Sequence, residues 1–267
     1  MTFFFNLAGQ NKFIMSKTAM ITGATSGIGK ATAQLLAEYG YNLIITGRRS
    51  DRLDELANEL IRNNRIELLK LCFDVRSLTE VETAIGSLST KWREIDLLIN
   101  NAGLAVGLEP VHAGVTDDWE RMIDTNVKGL LYVSKSVSQL MIERRKGQII
   151  NISSIAGREA YPNGAVYCGS KHAVQAITKA MRVELLPYGI KVNTIAPGMV
   201  DTEFSVVRFK GDQQRADNVY KGFEPLMAED IAETILFMAT RPPHVSIDDL
   251  LIMPVAQGSS RDVFRTE

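Results

Sequence analysis

Between residues 18 and 39 a short apolar run passes into Thr22-Gly23-Ala24-Thr25-Ser26-Gly27-Ile28-Gly29 and then into a helical pattern. Strand, glycine-rich turn and helix in that order constrain the fold more than any other stretch. Gly23 permits a tight turn, Gly27 lets a phosphate approach the backbone, and Gly29 lets the helix pack on the strand. The helix N-terminus then offers unpaired N–H groups and a positive dipole end to a pyrophosphate.

The same alternation repeats down the chain. Short Ile-, Val- and Leu-rich runs at 18–21, 42–46, 66–73, 95–100, 148–153, 191–196 and 250–253 read as strands buried on both faces. Helical patterns at 28–39, 51–63, 78–90, 117–143, 165–186 and 229–240 lie between them. This predicts an α/β fold: a Rossmann-type doubly wound parallel sheet of about seven strands in a single domain over residues 15–267. The polar, weakly periodic stretch 199–224 interrupts the pattern, and a long excursion of this kind is expected to serve the substrate. Residues 1–14 read as an extension outside the fold, disordered or non-native. Three Phe at 3–5 begin like a signal sequence, but no basic residue precedes them and polar residues soon follow.

Composition narrows the function. Thirty Lys and Arg balance 31 Asp and Glu in the 267 residues, so no basic surface points to nucleic acid. No apolar run approaches the roughly 18 residues of a membrane span. Cys72 and Cys168 allow at most one disulfide, and His112, His172 and His244 have no metal-ligand spacing. A cytoplasmic enzyme of small molecules, without a metal, is expected. After the second strand comes Thr46-Gly47-Arg48-Arg49, where an NAD-preferring fold carries a carboxylate for the ribose hydroxyl. Arg48 and Arg49 instead suit a 2′-phosphate, which favours NADP.

Tyr167 and Lys171 are four residues apart on a helical pattern and share a face; Ser154 ends a strand upstream, and Asn126 lies in the preceding helical pattern. With the glycine turn, Asn100-Asn101-Ala102-Gly103 and Pro197-Gly198, this layout resembles the short-chain dehydrogenase/reductase family over nearly everything from Met15 on. The resemblance implies that Tyr167 is the general acid/base and Ser154 bonds the substrate oxygen. It also implies that Lys171 lowers the tyrosine pKa and holds the nicotinamide ribose, while Asn126 keeps a water in a proton relay. It places the cofactor along Gly23, Thr25, Ser26, Gly27, Ile28 and Gly29, then Asp74 and Val75 by the adenine. Further contacts are implied at Asn101, Ala102 and Gly103, with Asn100 flanking, at Tyr167 and Lys171, and at Pro197, Gly198, Val200 and Thr202.

Longer stretches, NNAGLAVGLEP at 100–110, AGREAYPNGAVY at 156–167 and PGMVDTEFSVVRFKG at 197–211, are similar to a subgroup. These are the NADP-dependent 3-hydroxy acid dehydrogenases, also described as serine or L-allo-threonine dehydrogenases and malonic semialdehyde reductases. The activity implied is hydride transfer between NADP(H) and the 3-hydroxyl or 3-oxo group of such acids. A carboxylate substrate calls for a cation: Arg158, Arg208 or Lys210, with Glu203 available to an amino group. The alternatives are a carbonyl or 3-oxoacyl reductase of another substrate class, and a non-catalytic NADP-binding protein. A homotetramer is expected as well. Leu130, Leu131, Val133, Val137, Leu140 and Met141 exceed what one sheet-facing stripe accommodates, and the resemblance implies pairing through the helices at 117–143 and 165–186.

Overall fold

The computed structural model describes residues 17–266; the predicted extension at 1–14 lies outside them. Seven strands form one parallel sheet: β1 (Thr18–Ile21), β2 (Asn42–Gly47), β3 (Leu68–Cys72), β4 (Ile95–Asn100), β5 (Gly147–Ile152), β6 (Ile190–Pro197) and β7 (Asp249–Ile252). Their order is β3-β2-β1-β4-β5-β6-β7, so the direction of winding reverses between β1 and β4. Every pairing is parallel, with Ala19 opposite Leu43 on one side and Leu97 on the other.

Successive strand residues point to opposite faces, so each apolar run feeds two cores. Ala19, Ile21, Leu43, Ile45, Leu97 and Ile99 pack under helices α1 (Gly27–Glu38), α2 (Ser50–Asn63) and α9 (Ala228–Ala239). Met20, Ile44, Leu98 and Ile149 pack on the other face under α3 (Leu78–Gly86), α5 (Leu130–Arg144) and α6 (Ala165–Leu185). Each buried Ile or Leu contributes about 1.5–3 kcal/mol relative to exposure. Edge strand β3 is only half-buried and is shorter than the predicted run.

Three departures from the predicted elements matter. The helix predicted at 78–90 stops at Gly86, and a separate 3₁₀ turn occupies Thr90–Arg93. The pattern at 117–143 is three pieces: α4 (Thr116–Ile123), a π-helical turn (Asp124–Gly129) and α5. The excursion contains two short helices, α7 (Phe204–Arg208) and α8 (Gln213–Asn218). The apolar surplus expected on α5 is also smaller than predicted. Leu130, Val133, Val137, Leu140 and Met141 are all buried within the chain, and only Leu131 is exposed, at 40 %. The sheet and α3 together accommodate more than one stripe of a helix lying between them. No helix among the described residues is long and apolar enough to cross a membrane.

Candidate active site

A cleft of about 350 Å³ opens at the carboxyl ends of the strands, where the winding reverses. The glycine turn forms its floor. Gly23 and Gly27 have φ of 65° and 49°, in the left-handed region that favours glycine. A Cβ on Gly29 would stand 2.3 Å from the Gly23 carbonyl oxygen, so a side chain there collides with backbone. Gly29 therefore shapes the turn without lining the cleft. The turn is braced from β4: Asn101 Nδ2 donates to the carbonyls of Thr22 and Gly23 at 3.0 Å, and Thr22 Oγ1 accepts from the Asn101 and Ala102 N–H groups at 3.0 Å. Ser26 at the N-cap makes no capping bond, and the first turn of α1 holds no acid. The positive helix end thus faces the cleft unopposed, as an anion requires.

Arg48 and Arg49 line the cleft beyond this turn. Arg49 donates to Thr25 Oγ1 at 3.0 Å and Ser26 Oγ at 3.4 Å, while Arg48 Nη1 lies 3.7 Å from Asp74 Oδ2. Partial burial pushes the Asp74 carboxyl up, but hydrogen bonds and charge from Arg76, with Arg48 beyond, hold it below the ordinary carboxylate value. Val75, Gly103, Pro197, Gly198, Val200 and Thr202 line the cleft with the remaining residues expected there. Asn100 does not. Its side chain is buried beneath, donating to Ser134 Oγ and Asn151 Oδ1 at 2.8 Å.

Tyr167 and Lys171 occupy one turn of α6 at the far end, both almost fully buried. Ser154 follows β5 and caps a 3₁₀ turn, its Oγ accepting from Ala156 N at 3.1 Å. Lys171 Nζ donates to the Ile152 carbonyl at 2.9 Å and lies 5.9 Å from the centre of the Tyr167 ring. The tyrosine pKa does not follow the expectation. Burial drives the Tyr167 phenol upward, reinforced by Tyr161, and the opposing pull of Ser154 and Arg208 does not overcome it. Lys171, turned toward a carbonyl and deprived of water, is itself pushed down to about 8.

Asn126 sits in the π-helical turn, a distortion often found at functional sites. Its amide is fully engaged: Oδ1 accepts from Leu104 N, and Nδ2 donates to Leu104 O and Ser170 Oγ. Its side chain therefore anchors loop 104–110, and only its main chain remains for a relay. Gly103 lines the cleft beside Asn126 and Lys171, since a Cβ there would lie 3.2 Å from Asn126 Oδ1 and 3.5 Å from Lys171 Nζ.

The four substrate candidates separate. Arg158 is paired with Asp249 at 2.8 Å and does not line the cleft. Glu203 faces the arginine end, taking Arg52 Nη1 on both oxygens at 2.9 Å with Arg49 at 3.8 Å, so it is already matched by cations rather than open to an amino group. Lys210 pairs with Asp118 at 2.6 Å. Arg208 remains. Its Nη2 donates to the Tyr161 hydroxyl at 2.9 Å, and its guanidinium lies 5.5 Å from the Tyr161 ring centre and 5.7 Å from that of Tyr167. Its Nε is buried without a hydrogen-bond partner among the described residues.

Several residues at the site escaped sequence reasoning. Phe204 packs its ring 5.7 Å from that of Tyr167, and Tyr161 holds Arg208. Leu104, Arg121, Thr125 and Val207 also line the cleft. Leu104, Tyr161, Phe204 and Val207 fall within the longer stretches similar to the subgroup, which did not single them out, and Arg121 and Thr125 fall in none. Among the described residues there is no group of three or more His, Cys, Asp or Glu placed to hold a metal.

A model of the short chain dehydrogenase family matches residues 17–213. The NADP-dependent 3-hydroxy acid dehydrogenase of Schizosaccharomyces pombe is 46% identical over 252 residues, 94% of this chain and 97% of that protein. Sulfoacetaldehyde reductase 2 of Chromohalobacter salexigens is 44% identical over 247 residues, 92% of this chain and 97% of that one. Among solved structures, the closed form of serine dehydrogenase complexed with NADP+ superposes with a TM-score of 0.87 at 41% identity, covering 94% of this chain and all of that one, 100%.

Proposed function

The chain belongs to the short-chain dehydrogenase family, and from that premise we propose that it interconverts small 3-hydroxy acids and their 3-oxo forms: serine, L-allo-threonine and 3-hydroxypropionate or malonic semialdehyde. Its class is an NADP-dependent oxidoreductase acting on CH–OH groups. The residues fit that cofactor. The turn excludes a Cβ at Gly29, the acid-free helix end suits the pyrophosphate, and Arg48 and Arg49 suit the 2′-phosphate. When bound, NADP(H) supplies the hydride.

The protein's own part is proton handling and orientation. Ser154 bonds the substrate oxygen beside the Tyr167 hydroxyl. Tyr167, kept protonated by burial, gives its proton to that oxygen during reduction and takes it back during oxidation. Lys171, one helical turn away, favours the transient phenolate by its charge. The Asn126 main chain completes the relay.

The observation that carries the substrate class is Arg208. A half-buried guanidinium 5.7 Å from the Tyr167 ring centre, with a buried Nε that has no hydrogen-bond partner among the described residues, is an anion-binding group next to the proton donor. Initial rates with 3-hydroxy acids and with uncharged alcohols and aldehydes, using NADP and NAD in turn, test the reading. Preference for the acids with NADP is expected; preference for uncharged substrates overturns it. The proposal extends to a cytoplasmic homotetramer, for which exposed Leu131, Val183 and Leu186 on α5 and at the end of α6 supply apolar surface. A monomeric mass in solution overturns that part.

A further inference from the structure

Two residues beyond Arg208 the chain turns a tight corner, with φ of 55° at Lys210 and 94° at Gly211. The corner closes α7 with its own backbone bonds, Gly211 N donating to the Val206 carbonyl at 2.9 Å and Lys210 N to that of Val207 at 3.1 Å, a helix-ending motif that places Lys210 in the left-handed region. What ties this corner to the rest of the fold is ionic: Lys210 Nζ lies 2.6 Å from Asp118 Oδ2, and the Asp118 side chain is only 5% exposed while that of lysine is half exposed. Asp118 stands in the first turn of α4, where the helix dipole favours a carboxylate. Its other cationic neighbour, Arg121, is more distant at 3.9 Å. A second tie joins the same place, because Gly107 N donates to the Arg208 carbonyl at 3.0 Å. Gly107 has φ of 75°, and a Cβ there would lie 3.1 Å from Asp118 Oδ2. Loop 104–110, α4 and the excursion at 199–224, a lid beside the substrate end of the cleft, therefore meet at one buried carboxylate, which does not itself line the cleft.

We infer that Asp118 is a positioning residue for anionic substrates: paired with Lys210 and fitted against Gly107, it fixes the corner that aims Arg208 at Tyr167. The inference rests on Arg208 as the anion-binding group. It makes Asp118 act through the lid alone, leaving the proton donor and the cofactor cleft as they are. Losing a buried partner of an ion pair frees the other group and whatever it held. The consequence falls on the KM of a substrate that uses Arg208, while kcat is largely preserved.

The test compares Asp118→Asn with Lys210→Met, whose exposed side chain makes misfolding a lesser risk. Both variants are expected to raise the KM for 3-hydroxy acids about tenfold or more, with kcat changed by less than about threefold. NADP+ affinity by calorimetry and turnover of an uncharged aldehyde are expected to stay within about twofold. The double variant is expected to be no worse than the worse single one, since both break the same pair. An unchanged KM in both variants, or an equal loss on the uncharged aldehyde, overturns the inference. So does weakened NADP+ binding without an anion-specific effect, which would assign Asp118 to Arg121 instead. Arg208→Gln run in parallel separates the two levels. If it fails to discriminate charged from uncharged substrates, the substrate reading falls and takes this inference with it. If it discriminates while Asp118→Asn and Lys210→Met do not, only the positioning role falls.

Discussion

The two ends of the cleft are built differently. At the cofactor end the decisive contacts fall on backbone beside two neighbouring strand ends: Gly29 stands against the Gly23 carbonyl, and the Asn101 side-chain amide donates to the Thr22 and Gly23 carbonyls. At the substrate end, α7 and α8 are short, and the lid is held by side chains reaching far along the chain. Arg208 meets Tyr161, Lys210 meets Asp118, and Glu203 meets Arg52. The first arrangement tolerates little change, because a methyl group already collides. The second can be retuned one side chain at a time, so one scaffold can keep its cofactor and change its substrate.

Tyr167 stands where the two ends meet, and it carries the largest expected effect. Tyr167→Phe keeps the ring that packs on Phe204 and removes only the proton. Turnover is expected to fall by about 10²–10⁴-fold, with NADPH affinity, read by fluorescence titration, held within about twofold. Turnover near that of the native chain would remove Tyr167 from the chemistry. Arg208→Gln comes next and sharpens the contrast. Loss of a charged hydrogen bond should cost 3-hydroxy acids about 1.5–3 kcal/mol in kcat/KM and leave an uncharged aldehyde unchanged. Equal losses would make Arg208 part of the wall rather than the specificity. Arg48→Ala probes the opposite end with a smaller effect. This exposed side chain has only a 3.7 Å contact to Asp74 to lose, so NADP+ affinity should fall roughly tenfold while NAD+ affinity stays put. A parallel fall for both would detach Arg48 from the 2′-phosphate.

The same contrast explains what the sequence discloses. Strands β1 and β4 coincide with their predicted limits because their apolar runs are bounded by turn residues. The glycine turn and the Tyr167–Lys171 pair are equally legible, since their geometry is local: φ at a glycine, and one turn of helix. The limits of legibility lie with long-range contacts. Nothing in Asp117-Asp118-Trp119 tells that its middle residue is buried against a lysine from the lid. Nor does Tyr161 in a Pro- and Gly-containing loop announce that it will hold Arg208. Sequence puts Arg208 first for the carboxylate but does not exclude Arg158 or Lys210, nor Glu203 for an amino group, because their ion-pair partners come from distant elements. Tyr167 shows the same divide: proximity of a lysine is visible in sequence, and the burial that pushes the phenol upward is not.

Lys171 gives the smallest effect, and one that reports burial directly. An unfolded lysine keeps its proton up to its ordinary value of 10.5, whereas burial brings folded Lys171 down to about 8. Between those values the unfolded chain binds more protons, so folding stability contributed at this site rises with pH. From pH 7.5 to 8.5 the gain is about 0.7 kcal/mol, which moves Tm by about 1 °C in a chain of this size. Lys171→Met removes the titration without removing the apolar stem. The Tm of the native chain minus that of the variant should therefore grow by about 1 °C over this interval, read by calorimetry in buffers of equal ionic strength. Tyr167 does not obscure the signal, because its phenol stays protonated throughout. A flat difference would mean that Lys171 keeps its ammonium against the loss of water. The Ile152 carbonyl would then be a strong enough partner to hold the charge, and the two ends of the cleft would share a permanently cationic centre.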